Sequence, residues 1–255
     1  MMKLQICLFL ASLTTMSVAW AESLRIVTEE WPPFVYVEDG IIKGADKEIT
    51  EHLLAQLGYQ VEWELKPWRR VLQDVEKGTA DAVLDIAPHP DYLARFLFTS
   101  EPLSSHETVL FHDSRRPFAF DSLNDLTGLV IGVSPGYLYN NDDFIASDTF
   151  FREPAPSFAA NFQKLLRGRV DMVAMSRPVG LYTSSILGIT EQVGYHPLPL
   201  SQSNFYLAFH QAPRWQEPAQ AFSQALRAFK HTEEYEQILQ RYRLAVNDGT
   251  LTLTH

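Results

Sequence analysis

Gly132-Val133-Ser134-Pro135-Gly136 fits the G-x-S-x-G spacing of a hydrolase nucleophile elbow, and Asp171 and His196 follow in the order a catalytic triad needs. The chemistry fails at one residue. The amide after the nucleophile must donate to the oxyanion, and here it belongs to Pro135, which has no N–H. The same segment reads as the end of a strand opening into a helix, where backbone N–H groups from Ser134 to Tyr137 could hold an anion and Gly136 permits close approach. A plain strand-to-helix turn would look the same. Glu29 and Trp31 offer a carboxylate beside a flat indole, a pairing suited to a cation, and equally a surface acid next to a core tryptophan. Trp68 and Arg70 follow Pro67 at an expected helix start, where a guanidinium either grips a carboxylate in bidentate fashion or is simply solvated. Glu29, Asp85 and His89 could supply an acid–base pair, although nothing in their spacing demands it. The eight histidines are scattered, with no His-Glu-x-x-His, and His106 and His112 read as surface residues. No phosphate-loop or dinucleotide glycine pattern is present, so no cofactor or metal is expected.

These residues are carried by a chain that alternates strands and helices. Leu24 to Thr28 reads as a short strand. Ile49, Leu53 and Leu57 recur at helical spacing over Asp46–Leu57, and Gly58 stops that helix. Tyr59, Val61, Trp63 and Leu65 alternate as in a strand with one buried face. A helix follows Pro67 and ends at Gly78, and the apolar run Ala80–Ile86 is expected of a strand covered on both faces. The order recurs with strand Leu129–Val133, helix Phe158–Leu166 and strand Val170–Met175. Gly78-Thr79-Ala80-Asp81-Ala82-Val83 and Gly168-Arg169-Val170-Asp171-Met172-Val173 share one pattern, which suggests an α/β unit built twice. Two further helical patterns run through Phe222, Leu226 and Phe229 and through Tyr235, Ile238, Leu239 and Tyr242. Two such units imply two mainly parallel sheets, with a cleft where their strand ends face each other.

The first residues read as an address. Lys3, the mostly apolar Leu4–Val18 and the small-x-small Ala19-Trp20-Ala21 describe a cleavable signal peptide over residues 1–21. The apolar run is too short and too broken by Ser and Thr to span a bilayer. The one cysteine, Cys7, lies inside it, so the chain from Glu22 onward has no thiol chemistry. A net charge of −10 with no basic run argues against nucleic acid and anionic lipid as partners.

Five segments in order resemble the family 3 bacterial extracellular solute-binding proteins, which serve ABC importers of amino acids and similar solutes. They are Leu24–Phe34, Gly44–Ile49, Phe98–Leu103, Leu123–Gly136 and Glu234–Tyr242, and the likeness runs from about Leu24 to Leu244. Pro67-Trp68-Arg69-Arg70 and Arg177-Pro178-Val179-Gly180 are similar to a subgroup with a P-W-x-R motif. The resemblance implies a type II periplasmic-binding-protein fold: two α/β lobes joined by two strands. Lobe one is expected over 22–107 and 205–255 and lobe two over 108–204, with crossovers near Thr108–Asp113 and Leu198–Tyr206. It also implies a periplasmic monomer, not an enzyme, that passes a small polar solute, amino-acid-like or organic-acid-like, to a membrane permease. A dehydratase of the same fold, or a sensor that docks on a receptor, are the alternatives.

The resemblance places Glu29, Trp31, Tyr92 and Ser176, with Arg177 after it, around the solute, and the readings above add Trp68, Arg70, Ser134, Gly136 and Tyr137. Two of these depart from the amino-acid binders. Tyr92 stands where the family carries an Arg for the ligand carboxylate, with Arg95 one helical turn on as the nearest replacement. Ser176, followed by Arg177, stands where the family carries an acid for the amine. Losing two charge-assisted hydrogen bonds, each about 1.5–3 kcal/mol, disfavours an ordinary α-amino acid.

Overall fold

In the first α/β unit, strand Glu22–Thr28 lies between Tyr59–Leu65 and Ala82–Ile86 and runs parallel to both. In the second, Val130–Val133 lies between Phe151–Pro154 and Met172–Ser176, again parallel to both. The computed structural model that shows this describes residues 22–247 and 250–253, so the expected signal peptide and Cys7 lie outside the described residues. In both units the first strand is central, the second outermost and the third faces the rest of the molecule.

The repeated sequence turn is repeated in its atoms. Asp81 donates its N–H to the Arg25 carbonyl (2.9 Å) and accepts the Arg25 N–H on its carboxylate (2.9 Å). Asp171 does the same with Val130, at 2.8 Å for each bond. Gly78 and Gly168, at φ 70° and 68°, end the preceding helices in the left-handed region that glycine tolerates. Each aspartate thereby fixes the start of the next buried strand to the start of the first.

Two ten-residue strands, Ser104–Asp113 and Ser201–His210, tie the halves together. They pair antiparallel with each other over Ser104–Thr108 and Ser201–Phe205. Beyond that stretch each changes partner. Thr108–Phe111 pairs with Met172–Ser176, while Tyr206–Phe209 pairs with Ala82–Ile86. The first crossing therefore falls ahead of the expected Thr108–Asp113, because Ser104-Ser105-His106-Glu107 is too polar to read as a strand.

Helices Gln216–Phe229 and Glu233–Arg241 return to the first unit. Their apolar faces, including Phe222, Leu226, Ile238 and Leu239, join Ile49 and Leu53 of helix Ala45–Gln56 in one core. A terminal hairpin, Leu244–Asn247 with Thr250–Leu253, carries no recognisable sequence signal and meets the crossing strand through Gln202 Nε2, which donates to Thr250 Oγ1 at 3.0 Å. Among the described residues no helix is long and apolar enough to cross a membrane.

The aspartate clamp gives a direct test. Asp171→Ala removes a charged acceptor from a buried strand start, and urea unfolding should show a loss of about 1.5–3 kcal/mol with the far-ultraviolet circular dichroism unchanged. Unchanged stability would show that the clamp is incidental.

Candidate functional site

The carboxyl ends of the parallel strands meet between the two halves, as open α/β sheets require of a ligand site. Glu29 and Trp31 follow strand Glu22–Thr28, Trp68 follows Tyr59–Leu65, and Ala87 follows Ala82–Ile86. From the other half come Ser134, Tyr137 and Tyr139 after Val130–Val133, and Ser176 at the end of Met172–Ser176. The cleft holds about 770 Å³ of empty space counted out to its mouth. A small solute fits such a space.

The halves touch across this cleft. Tyr137 donates its hydroxyl to Glu29 Oε2 at 2.9 Å, and Glu29 Oε1 accepts the Trp68 N–H at 3.3 Å. Burial raises Glu29 above the ordinary carboxylate range, and these two hydrogen bonds oppose that rise. Burial, and then the Glu29 charge, holds the Tyr137 hydroxyl well above its ordinary value, so it stays a donor. The Trp68 and Tyr137 rings meet edge to face at 6.1 Å, and His89 Nε2 lies 3.1 Å from Asp142 Oδ1 across the same divide.

Seven of the ten expected residues line the cleft: Glu29, Trp31, Trp68, Tyr92, Ser134, Tyr137 and Ser176. Three lie elsewhere. Arg70 is exposed on helix Trp68–Glu76, on the side turned away from the cleft lining. Arg177 pairs with Glu107 at 3.0 Å. Gly136, at φ 87°, faces the other half: a Cβ there would lie 3.1 Å from Arg69 Cγ, so it permits the close approach of two surfaces. Arg95 does not turn inward either, because Glu76 holds it with two bonds of 2.9 and 2.6 Å.

No helix opens at Ser134. Pro135 and the left-handed Gly136 carry the chain through turns to Asp142–Ala146, whose true cap is Asn141, accepting from the Phe144 N–H at 2.8 Å. The Ser134 N–H is taken by the Tyr139 hydroxyl at 2.6 Å. The Ser134 donor of the expected anion cradle is therefore taken by the protein's own tyrosine.

His106, expected at the surface, is 1% exposed. It stacks between Phe34 and Phe205, at 4.4 Å from each, with Trp31 against the same group at 4.8 Å. Its Nε2 is 3.0 Å from Ser104 Oγ and its Nδ1 is 3.4 Å from Ser176 Oγ, which joins the crossing strand to the cleft. A lone polar residue in a serine-rich run gave no periodic signal of this burial. His112, by contrast, is half-buried.

Asp85 is the largest surprise. Its residue is 7% exposed, its φ is 61°, and it lines the cleft. Burial, and then the neighbouring Asp46 carboxyl, pushes it well above the ordinary carboxylate range. Asp46, fully buried, is also raised and accepts the Ser104 hydroxyl at 2.7 Å. Two carboxyls in a dry site cannot both ionise cheaply, which favours the protonated form of one of them.

A family model described as bacterial extracellular solute-binding proteins, family 3, matches residues 24–245. The chain belongs to this family. No curated protein is significantly similar to this family 3 chain in sequence. Among solved structures it is similar to an ancestral arginine-binding protein bound to arginine, with 22% identity, 88% of this chain and 99% of that one covered, and a TM-score of 0.75. It is similar to an amino-acid ABC transporter substrate-binding protein of Streptococcus pneumoniae bound to L-arginine (19% identity, 86% and 94% covered, TM-score 0.74). A histidine kinase sensor domain is equally alike (19% identity, 88% and 96% covered, TM-score 0.76). At such identities the likeness is one of fold, and it gives this solute-binding protein the two-lobed type II architecture.

The buried histidine sets a pH dependence. Burial lowers His106 from 6.5 to about 3. The unfolded chain takes up that proton near pH 6.5 and the folded one only near pH 3, so folding stability falls as pH drops through this window. His106→Phe should remove this fall. Urea unfolding from pH 7 to pH 4 should show the parent losing stability relative to the variant, with Asp46 and Asp85 common to both. Parallel curves would contradict the assignment.

Proposed function

We propose that the protein captures a small organic solute by closing its lobes and presents the closed form to the permease of an ABC importer. The observation that carries this reading is the bond between Tyr137 and Glu29, which closes the cleft by joining residues from opposite halves. Residues 22–107 and 205–255 act as one lobe and 108–204 as the other, hinged where Ser104–Thr108 pairs with Ser201–Phe205. The reading includes a monomer, cleavage of residues 1–21 and release into the periplasm.

Open and closed forms differ in free energy by the contacts between lobes. The interlobe contacts include the Tyr137–Glu29, His89–Asp142 and Ser176–His106 hydrogen bonds, the Arg177–Glu107 ion pair and the Trp68–Tyr137 and Tyr36–Tyr182 ring contacts, and a solute touching both lobes shifts the balance by its differential affinity. Family membership supports binding over catalysis. The acid–base reading loses His89, which is occupied with Asp142.

Melting curves of the purified protein, stripped of carried ligand by partial unfolding, test this against amino acids, amines, polyamines, organic acids and small aromatic acids. A solute at a hundred times its dissociation constant adds about 2.7 kcal/mol, which for a chain of this size raises the melting temperature by roughly 5–10 °C. One class should give that shift without being consumed. Consumption of the stabilising compound would instead make the protein an enzyme, and the absence of a shift across the whole panel would count against solute capture.

A further inference from the structure

We infer that the cleft is built for an organic ammonium ion, a small amine without a carboxylate, held by Asp85 and Glu29 between aromatic walls. The inference rests on the solute-capture reading and names its ligand class.

It starts from an irregularity in the sheet. Strand Ala82–Ile86 pairs with Ser201–His210 at Val83↔Ala208 and next at Ile86↔Tyr206, so Leu84 and Asp85 together stand opposite Leu207. Such a bulge turns a side chain out of its regular alternation. Val83 and Ile86, three residues apart, both pack under helix Trp68–Glu76, where strict alternation would send them to opposite faces. The turn is made at Asp85, whose left-handed backbone is uncommon for a non-glycine residue and marks stored strain. The sheet gives up its regularity at the one acid of this strand, and that residue lines the cleft.

That carboxyl meets no donor. Among the described residues, neither oxygen of Asp85 has a hydrogen-bond donor, nor has Asp46 Oδ1. Asp46 Oδ2 takes the Ser104 hydroxyl. A single proton shared by the two acids would engage only one oxygen of Asp85. The other Asp85 oxygen remains, buried within a residue that lines the cleft, and a buried acceptor without a donor calls for one from outside the chain. An ammonium group supplies both the donor and the charge.

The rest of the lining agrees. Glu29 and Asp85 are its charged side chains, and no Lys or Arg is among the lining residues. A carboxylate placed here would face two acids and no cation, a like-charge contact that selects against it. Trp31, Trp68, Tyr92 and Tyr137 offer ring faces and edges, and aromatic faces attract organic cations most strongly where water is excluded. Arg70, Arg95 and Arg177 lie outside the cleft lining, the last two paired with Glu76 and Glu107, so none of them meets a ligand carboxylate there.

Isothermal titration of the intact protein tests this with four probes: 2-phenylethylamine, 1,4-diaminobutane, phenylalanine and 3-phenylpropanoate. At least one amine should bind ten times more tightly than either carboxylate-bearing probe. Asp85→Asn should weaken that amine at least tenfold, as should Glu29→Gln. Asparagine keeps the shape and tolerates the left-handed backbone, so the Asp85 variant should fold, with a melting temperature no lower than the parent's. Phenylalanine or 3-phenylpropanoate binding as tightly as the amines would overturn the ligand class while leaving solute capture standing. Failure of both amines to bind, or unchanged amine affinity in the Asp85→Asn protein, would overturn it too. Solute capture itself falls only if the whole panel of the preceding section gives no stabilisation.

Discussion

The pairing of Ser104–Thr108 with Ser201–Phe205 is the constraint on which the rest depends. Both strands belong to two sheets at once, so the two α/β units cannot be placed independently. Each unit must turn the carboxyl ends of its parallel strands toward the other, and the loops that follow those ends must share one space. Everything that lines the cleft follows from this. Glu29, Trp31 and Trp68 are there because they come immediately after strands of one unit, and Ser134, Tyr137 and Ser176 because they end or follow strands of the other. The aromatic group of Trp31, Phe34, His106 and Phe205 packs against the shared segment and gives the hinge an apolar support.

The repeated architecture explains why so much of the fold is legible in the chain. Periodicity marks Ile49 and Leu53 as one helix face, and the two turns at Asp81 and Asp171 announce a repeated unit whose bonds agree to within 0.1 Å. What sequence could not supply is direction within an element. Arg70 sits at the right helix start, but helical spacing turns it outward while Trp68 turns in. Asp85 looks like one polar interruption of an apolar strand. Only the bulge opposite Leu207 sends it to the cleft, and a bulge depends on the partner strand, which is more than a hundred residues away. His106 is hidden for a similar reason: its burial is made by Phe34 and Phe205, neither of them its sequence neighbour.

The same geometry bears on how closure is driven. The surfaces that meet across the cleft combine polar contacts, Tyr137 with Glu29 and His89 with Asp142, with ring contacts of Trp68 on Tyr137 and Tyr36 on Tyr182. A bound molecule tips the balance between open and closed forms by what it adds in the closed state alone. Glu29 is placed to couple the two events, since one of its oxygens holds the opposite lobe and the residue itself lines the cleft.

The central claim is that solute binding and lobe closure are one event. The direct measurement is the distance between spin labels on Leu93→Cys in one lobe and Phe151→Cys in the other, two exposed positions away from the cleft lining. Pulsed electron resonance without solute should give a broad or double distribution. A saturating solute that raises the melting temperature should collapse it to the shorter distance. A distribution unmoved by a solute that demonstrably binds would contradict the account.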